Sequence, residues 1–199
     1  MISHTIQYAM ASKSVDRVFV STDDDEISQI SRGDGAEVIP RPTEIAGDTA
    51  TTESAISHAI EWWRGQNLTP EIIVLLQATS PLRPHGSLDK ALEKFRTGGF
   101  DSLLSISPTH RFFWKVSGEE AHAEYDFMNR PRRQDMVESD IRYVENGSVY
   151  IFSTGHFERA GNRLGGKIGY TIFPEAFSPE IDISSDFTLL EEIAKNLKS

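Results

Sequence analysis

The segment Ile72-Ile73-Val74-Leu75-Leu76 is the longest uninterrupted apolar run in the chain, and it ends in the polar turn Gln77-Ala78-Thr79-Ser80. A membrane helix needs about 20 such residues, so the run is far too short to span a bilayer. It reads as a strand over 72–77 that is covered on both faces, the habit of strands in α/β sheets. The flanks agree. Thr51 to Gln66 reads as a helix, with Ala55, Ile56, Ala59, Ile60 and Trp63 on one face, and Leu88 to Phe95 reads as a second helix broken by Gly98-Gly99. Earlier in the chain a helix over 2–12, a strand over 17–21, an acid-started helix ending near Gly33 and a strand over 36–39 continue the alternation. Later come strands at 102–107, 148–152 and 167–173, and a closing helix from Ser185 to Leu197. Alternating strands and helices predict an α/β fold, a doubly wound and mostly parallel sheet. The stretch 108–146 is polar, aromatic and basic with little periodicity. It is too long for an ordinary loop and is expected to be an arm.

The 199 residues suit one domain over 1–199, and 25% charged with 38% hydrophobic residues is a globular balance. A formal net charge of -10 repels nucleic acid and anionic membranes. A polyphosphate would be repelled as well, unless its site is locally basic or holds a divalent metal. The absence of cysteine removes disulfides, thiolate nucleophiles and thiolate zinc sites, and fits a reducing, cytoplasmic location. The first residues, MISHTIQYAMASK, have neither the basic start nor the apolar run of a signal peptide.

Ligands of open α/β sheets bind outside the carboxyl ends of the strands. Gln77, Thr79, Ser80 and Arg83 stand at such an edge, although the same residues also suit a capped turn. Thr22 and Asp23 follow the first strand, where capping of the next helix is the simpler reading. Arg41-Pro42 follows the second strand. It is either a stiff surface turn or a grip for a base or phosphate. Asn129 to Asp135, NRPRRQD, is the densest basic cluster; such clusters also mark nucleic-acid contacts or solvated loops, but the planar fork of arginine suits a carboxylate or phosphate clamp better. Glu180 and Asp182 are two residues apart. In an extended segment both would point one way and could hold a magnesium that also binds substrate phosphates; as acids before the last helix they would instead serve its N-terminus.

Together, HTIQYAMASKSVDRVFVSTDDDEI (4–27), RPTEIAGDTATTESAISHAI (41–60), LLQATSPLR (75–83), RPRRQD (130–135), YVENGSVYIF (143–152), LGGKIGY (164–170) and EIDISSDF (180–187) resemble the acylneuraminate cytidylyltransferases, the CMP-sialic acid and CMP-nonulosonic acid synthetases. They stand in the family's order along nearly the whole chain, and RPRRQD followed by ENGSVYIF is the most specific part. The resemblance implies a nucleotide-diphospho-sugar transferase-like fold, a homodimer with crossing arms, and magnesium. It also implies attack by the anomeric hydroxyl of a sialic-acid-like sugar on the α-phosphate of CTP. By motif, Arg41 and Thr52 would contact the cytidine. Gln77, Lys115, Arg132 and Tyr150 would contact the sugar acid, with Lys115 and Arg132 at its carboxylate. Glu180 and Asp182 would hold the metal, with Glu180 standing where the family commonly has Asp. The family opens with a strand and a phosphate loop rich in Arg, Gly, Ser and Lys, whereas this sequence opens with a helix. The first strand and loop are therefore expected to be absent, and turnover of CTP by this chain to be slow. A non-catalytic sugar-binding or dimerising remnant and a CMP-Kdo synthetase-type enzyme are the competing readings.

Overall fold

The computed structural model describes residues 1–197. The chain opens with helix α1 (Ile2–Met10), then strand β1 (Phe19–Thr22), helix α2 (Asp25–Gly33) and strand β2 (Glu37–Pro40). Helix α3 (Thr52–Gly65), strand β3 (Ile72–Leu75), helix α4 (Ser87–Gly98) and strand β4 (Ser102–Thr109) follow. Next come a hairpin of β5 (Trp114–Ser117) and β6 (Glu120–Ala123), the long strand β7 (Arg142–Ser153), helix α5 (Thr154–Ala160), strand β8 (Ile168–Ile172) and helix α6 (Ser184–Leu197).

The expected α/β architecture is present, and its sheet is mixed. Strands β1 and β2 pair in parallel as a two-stranded sheet, and the four-stranded sheet has the order β3-β7-β4-β8. Strand β7 lies antiparallel between β3 and β4, while β8 runs parallel to β4. Helices cover both faces. On one, Leu88, Leu92 and Phe95 of α4 meet Leu103, Val149 and Ile151 of the sheet. On the other, Ile56 and Ile60 of α3 meet Ile73, Phe152 and Phe157. The alternation of Val149 and Ile151 against Phe152 is the two-residue period of a strand buried on both sides. Helix α3 also reaches the smaller sheet, since Phe19 of β1 packs edge-on to Trp62 and Trp63 with ring centroids 6.1 and 5.3 Å away. One helix thus braces both sheets. Helix α1 is bolted to α4 by the 2.6 Å bond between Tyr8 Oη and Ser87 Oγ and by Ser12, whose hydroxyl donates to Asp89 at 2.6 Å.

Several local expectations change. The strand expected over 72–77 stops at Leu75 and pairs only with β7, so it is an edge strand and among its residues only Ile73 is buried. It is β7, paired on both sides, that carries the doubly covered run. The cap of α2 is Asp24, which accepts from Ile27 N at 2.8 Å, while Thr22 Oγ1 accepts from Asp24 N at 3.1 Å. The stretch 108–146 holds more regular structure than its composition suggested: the end of β4, the β5–β6 hairpin and the start of β7. Helix α5 was not foreseen; Ser153 caps it by accepting from His156 N at 3.1 Å. No helix among the described residues is long and apolar enough to cross a membrane.

Candidate active site

The most irregular pairing in the sheet builds the site. Leu104 of β4 faces Tyr150 of β7, but Ile106 faces Glu145, so the ladder slips at Ser105 and residues 146–149 bulge outward. An Asn-Gly pair inside the strand is the local reason, because Gly147 takes a φ of +61°, which a side chain would resist. Buried polar groups satisfy the broken ladder. Ser105 Oγ donates to Asn146 Oδ1 at 2.5 Å and accepts from Val149 N at 2.9 Å. Asn146 Nδ2 donates to Ser107 Oγ at 2.9 Å. Each bond made inside the protein removes an unsatisfied group that would otherwise cost about 1–3 kcal/mol.

The bulge carries Gly147 to the carboxyl end of β3, where three polar side chains close over it. A methyl group in place of its hydrogen would lie closer than 3.0 Å to Glu180 Oε1, Gln77 Oε1 and Ser80 Oγ. Ser80 Oγ donates to Glu180 Oε1 at 3.1 Å, and Ile181 N donates to Thr79 O at 2.8 Å. The turn after β3 is therefore tied to the segment before α6. Arg83 is the bolt beneath it. The edge reading placed Arg83 beside a ligand, but it is 9% exposed and donates to Gln77 O at 2.7 Å, Ser148 O at 3.1 Å and Thr5 Oγ1 at 3.1 Å. Burial lowers its pKa to about 10, still well above neutrality, so the guanidinium remains charged and anchors the turn from inside.

Beside this cluster, Tyr150 lies opposite Leu75 on β7, on the α3 side of the sheet. It is 2% exposed, and its hydroxyl donates to the exposed Glu145. Burial first, and then the neighbouring Glu145, push the phenol up to about 12. Thr52 is the first residue of α3, and Thr51 caps that helix by accepting from Ser54 N at 3.1 Å. Arg41 is half-buried past the end of β2, donating to Ser21 Oγ at 3.1 Å and to Ser21 O at 2.5 Å. It thus bridges the ends of the two parallel strands.

Glu180 and Asp182 flank the buried Ile181; Glu180 is half-buried, with its carboxylate against Gly147. Asp182 is exposed, and its amide and that of Ile183 donate to Asp186 Oδ2 at 2.9 Å, so Asp186 reaches back from the first turn of α6 and the Asp182 carboxylate is left facing solvent. Among the described residues no group of three or more His, Cys, Asp or Glu is placed to hold a metal. Two carboxylates without a third suit magnesium shared with phosphate oxygens better than an all-protein cage.

The remaining sequence candidates stand elsewhere. Lys115 lies on β5, 79% exposed and paired with Glu124 at 2.8 Å. Arg132 is 74% exposed and paired with Asp135 at 2.5 Å. Both belong to the arm, where Phe112, Trp114, Tyr125, Arg130 and Arg132 help to line a groove of about 760 Å³. Phe112 stacks within 4.4 Å of Tyr125, and the Arg130 guanidinium sits 4.3 Å above Phe112. Within one chain the arm cations are thus not brought to Gln77, Gly147 and Glu180. Sequence reasoning missed Gly147, Glu145, Glu53 and Arg163. The Asn-Gly step inside β7 was a usable signal for the first, but nothing local marks an arginine that pairs with a glutamate 110 positions away.

Known proteins resemble this chain in sequence and in fold. An N-acylneuraminate cytidylyltransferase of Oncorhynchus mykiss is 35% identical over 199 residues, covering 96% of this chain and 44% of that protein. N-acylneuraminate cytidylyltransferase B of Danio rerio is 35% identical over 192 residues, covering 92% of this chain and 43% of that one. The chain therefore spans less than half the length of these curated relatives. Among solved structures, a CMP:2-keto-3-deoxy-manno-octonic acid synthetase complexed with CTP superposes with a TM-score of 0.65 at 14% identity, covering 99% of this chain and 87% of that one, which is a likeness of fold. The family model described as cytidylyltransferase matches residues 1–152, three-quarters of the sequence, and the chain belongs to that family.

Proposed function

We propose that this chain carries the catalytic fold of a cytidylyltransferase that activates a sialic-acid-like nonulosonic acid. CTP and the sugar acid give the CMP-sugar and pyrophosphate: the anomeric oxygen bonds to the α-phosphorus, the bond from that phosphorus to the bridging oxygen breaks, and the hydroxyl proton leaves to solvent or a nearby base. No covalent enzyme intermediate is needed, so the protein's work is positioning and charge neutralisation. The observation that carries the reading is the convergence of Gln77, Ser80 and Glu180 over Gly147 at the carboxyl end of β3, where ligands of such sheets bind.

Arg41 and Thr52, at the ends of β2 and the start of α3, are the cytidine side. Gln77 contacts the sugar acid, and the buried Tyr150 serves it by way of the exposed Glu145 that shares its hydroxyl proton. Glu180 and Asp182 would hold magnesium together with phosphate oxygens, and the metal would supply neutralisation of the developing charge. Lys115 and Arg132, exposed on the arm, fit a homodimer in which each arm delivers its cations to the neighbour's sugar carboxylate. Phe113, Trp114, Val116, Phe127 and Met128 are also exposed there, more apolar surface in one place than a free arm normally shows.

The test is incubation of the purified chain with CTP, magnesium and N-acetylneuraminic acid. Equal amounts of CMP-sugar and pyrophosphate are expected, and omission of the sugar should stop both. Turnover of 3-deoxy-manno-octulosonic acid but no nonulosonic acid would move the substrate assignment. Sugar binding without any pyrophosphate release would reduce the protein to a binding module.

A further inference from the structure

A row of four side chains runs from the surface of β7 to the start of α3: Glu145, Tyr150, Arg163 and Glu53. The Arg163 guanidinium carbon lies 4.6 Å from the centroid of the Tyr150 ring. Its Nη1 is paired with Glu53 in the first turn of α3, and the two side chains are only 19% and 24% exposed. Its Nε is buried without a hydrogen-bond partner. The guanidinium thus acts on Tyr150 both over its ring and at its hydroxyl. Burial works against the Arg163 charge, but Tyr150 and Glu53 together outweigh it and raise its pKa.

The backbone carrying Arg163 is fixed on both sides. Asn162 Oδ1 accepts from Leu164 N at 2.8 Å. Ser102 Oγ donates to Gly165 O at 2.8 Å and accepts from Gly165 N at 3.0 Å. Gly166, at a φ of +61°, leaves no room for a side chain beside Asp101. The loop therefore has one way to aim residue 163. The hydroxyl of the ring that it covers donates to Glu145, and Glu145 immediately precedes the bulge that brings Gly147 to Gln77 and Glu180.

We propose that Arg163, held by Glu53, is a positioning residue for the sugar-acid side of the site: it fixes Tyr150, and Tyr150 fixes the Glu145 carboxylate that accepts a hydroxyl of the sugar. This rests on the functional reading above. Glu53 stands next to Thr52, so the same row links the cytidine side of the site with the sugar side. An ion pair serving only the fold would lower stability without singling out one substrate.

The experiment is steady-state kinetics on Arg163→Gln, Arg163→Lys and Tyr150→Phe, with CTP, magnesium and N-acetylneuraminic acid. Arg163→Gln should raise the KM for the sugar by about tenfold, on the scale of one charge-assisted contact, with kcat within about threefold and the KM for CTP within about twofold. Arg163→Lys keeps the pair with Glu53 but loses the flat stack, and should fall between. In the Tyr150→Phe background the Arg163→Gln change should add less than about twofold, because the hydroxyl through which it acts is gone. A ligand-free readout accompanies these. In protein labelled with carbon-13 at the tyrosine Cζ, the Tyr150 resonance should shift and broaden in Arg163→Gln. Equal effects in both backgrounds, equal changes in the two KM values, or an unmoved Tyr150 resonance would overturn the proposal. An inactive wild-type chain would overturn the functional reading instead, and the resonance would still decide whether Arg163 positions Tyr150.

Discussion

Replacing Gly147 by alanine should separate the site from the fold more sharply than any other single change. Two effects act at once. The residue sits at a φ of +61°, where a side chain costs about 1–2 kcal/mol. Its new methyl would also lie closer than 3.0 Å to the side-chain ends of Glu180, Gln77 and Ser80. All three atoms struck are termini of side chains rather than backbone, so they can swing away and the fold can absorb the methyl. The cost to stability should then be mostly the backbone term, lowering Tm by about 2–8 °C in a chain of this size. The cost to the site is different in kind. Gln77 and Glu180 must leave the positions in which they face a ligand, and a displacement of about 1 Å at a reacting centre is worth about a hundredfold in rate. Turnover with CTP, magnesium and N-acetylneuraminic acid should therefore fall about a hundredfold, while the variant melts cooperatively a few degrees below the parent. A Gly147→Ala protein that melts lower yet keeps turnover within about threefold would refute the reasoning, since the cluster over Gly147 would then have no part in the chemistry.

Other changes test the remaining parts. Asp182→Asn should abolish magnesium-dependent turnover and leave the circular dichroism spectrum unchanged, because the Asp186 carboxylate, not that of Asp182, accepts the backbone amides just before α6. Arg83→Met should destabilise the protein by about 1–3 kcal/mol in urea unfolding, since it strands the carbonyl of Ser148 in the interior, while the Gln77 carbonyl still accepts from Ser80 N. Asp89 is held below the ordinary carboxylate range, first by Ser12 and then by Ser14 and Lys13, so its contribution is complete at neutral pH and is lost as pH falls through its depressed folded value. Asp89→Asn should lower Tm at neutral pH and shrink the fall in Tm on acidification below about pH 4, the unfolded value. Light scattering at micromolar concentration should report a homodimer, and Trp114→Glu on the exposed arm should shift it toward monomer without loss of secondary structure.

What the sequence made legible follows the range of each interaction. All the helices but the short α5 came through because their signals are local: Ile56, Ala59 and Ile60 repeat at helical spacing on α3, and Gly99 closes α4 in the left-handed conformation. The order of strands and helices was readable for the same reason. The direction of β7 was not, since the antiparallel run of Arg142 to Ser153 between β3 and β4 depends on where the arm returns the chain, and no residue within β7 records that. The apolar run at Ile72 reported its cover on both faces but not its place in the sheet. Apolarity reports burial, yet β3 has β7 on one side only and owes its cover to α3 and α4, while β7 holds the centre with a less apolar sequence. At the site, Gln77 and Glu180 were found through motif resemblance, and their meeting over Gly147 spans 103 positions that only the tertiary structure closes. Lys115 and Arg132 carried the same resemblance, but both stand exposed on the arm, where pairing with Glu124 and Asp135 satisfies them within the chain.

The polar bulge explains why a site stands at this point of the sheet. A regular β7 would continue its ladder past Tyr150 and turn every second side chain into the core, giving the strand a smooth apolar face with nothing to offer a charged substrate. Slipping the register at Ser105 ends that face abruptly, and Asn146, Ser105 and Ser107 absorb the ladder bonds that the slip removes. On the near side of the slip, Val149, Ile151 and Phe152 remain wholly buried and hold the sheet together. On the far side, Glu145 is exposed and Gly147 has no side chain, so Gln77, Ser80 and Glu180 can crowd against the backbone. Stability and function are thereby placed on consecutive stretches of one strand, with Asn146 as the hinge between them. Loss of Asn146 would take away the partner of Ser107 Oγ and of Ser148 N in the interior, while Ser105 would keep its bonds to Val149. The residues that make the site possible are therefore part of the core, and the bulge cannot be regularised without closing the space above Gly147.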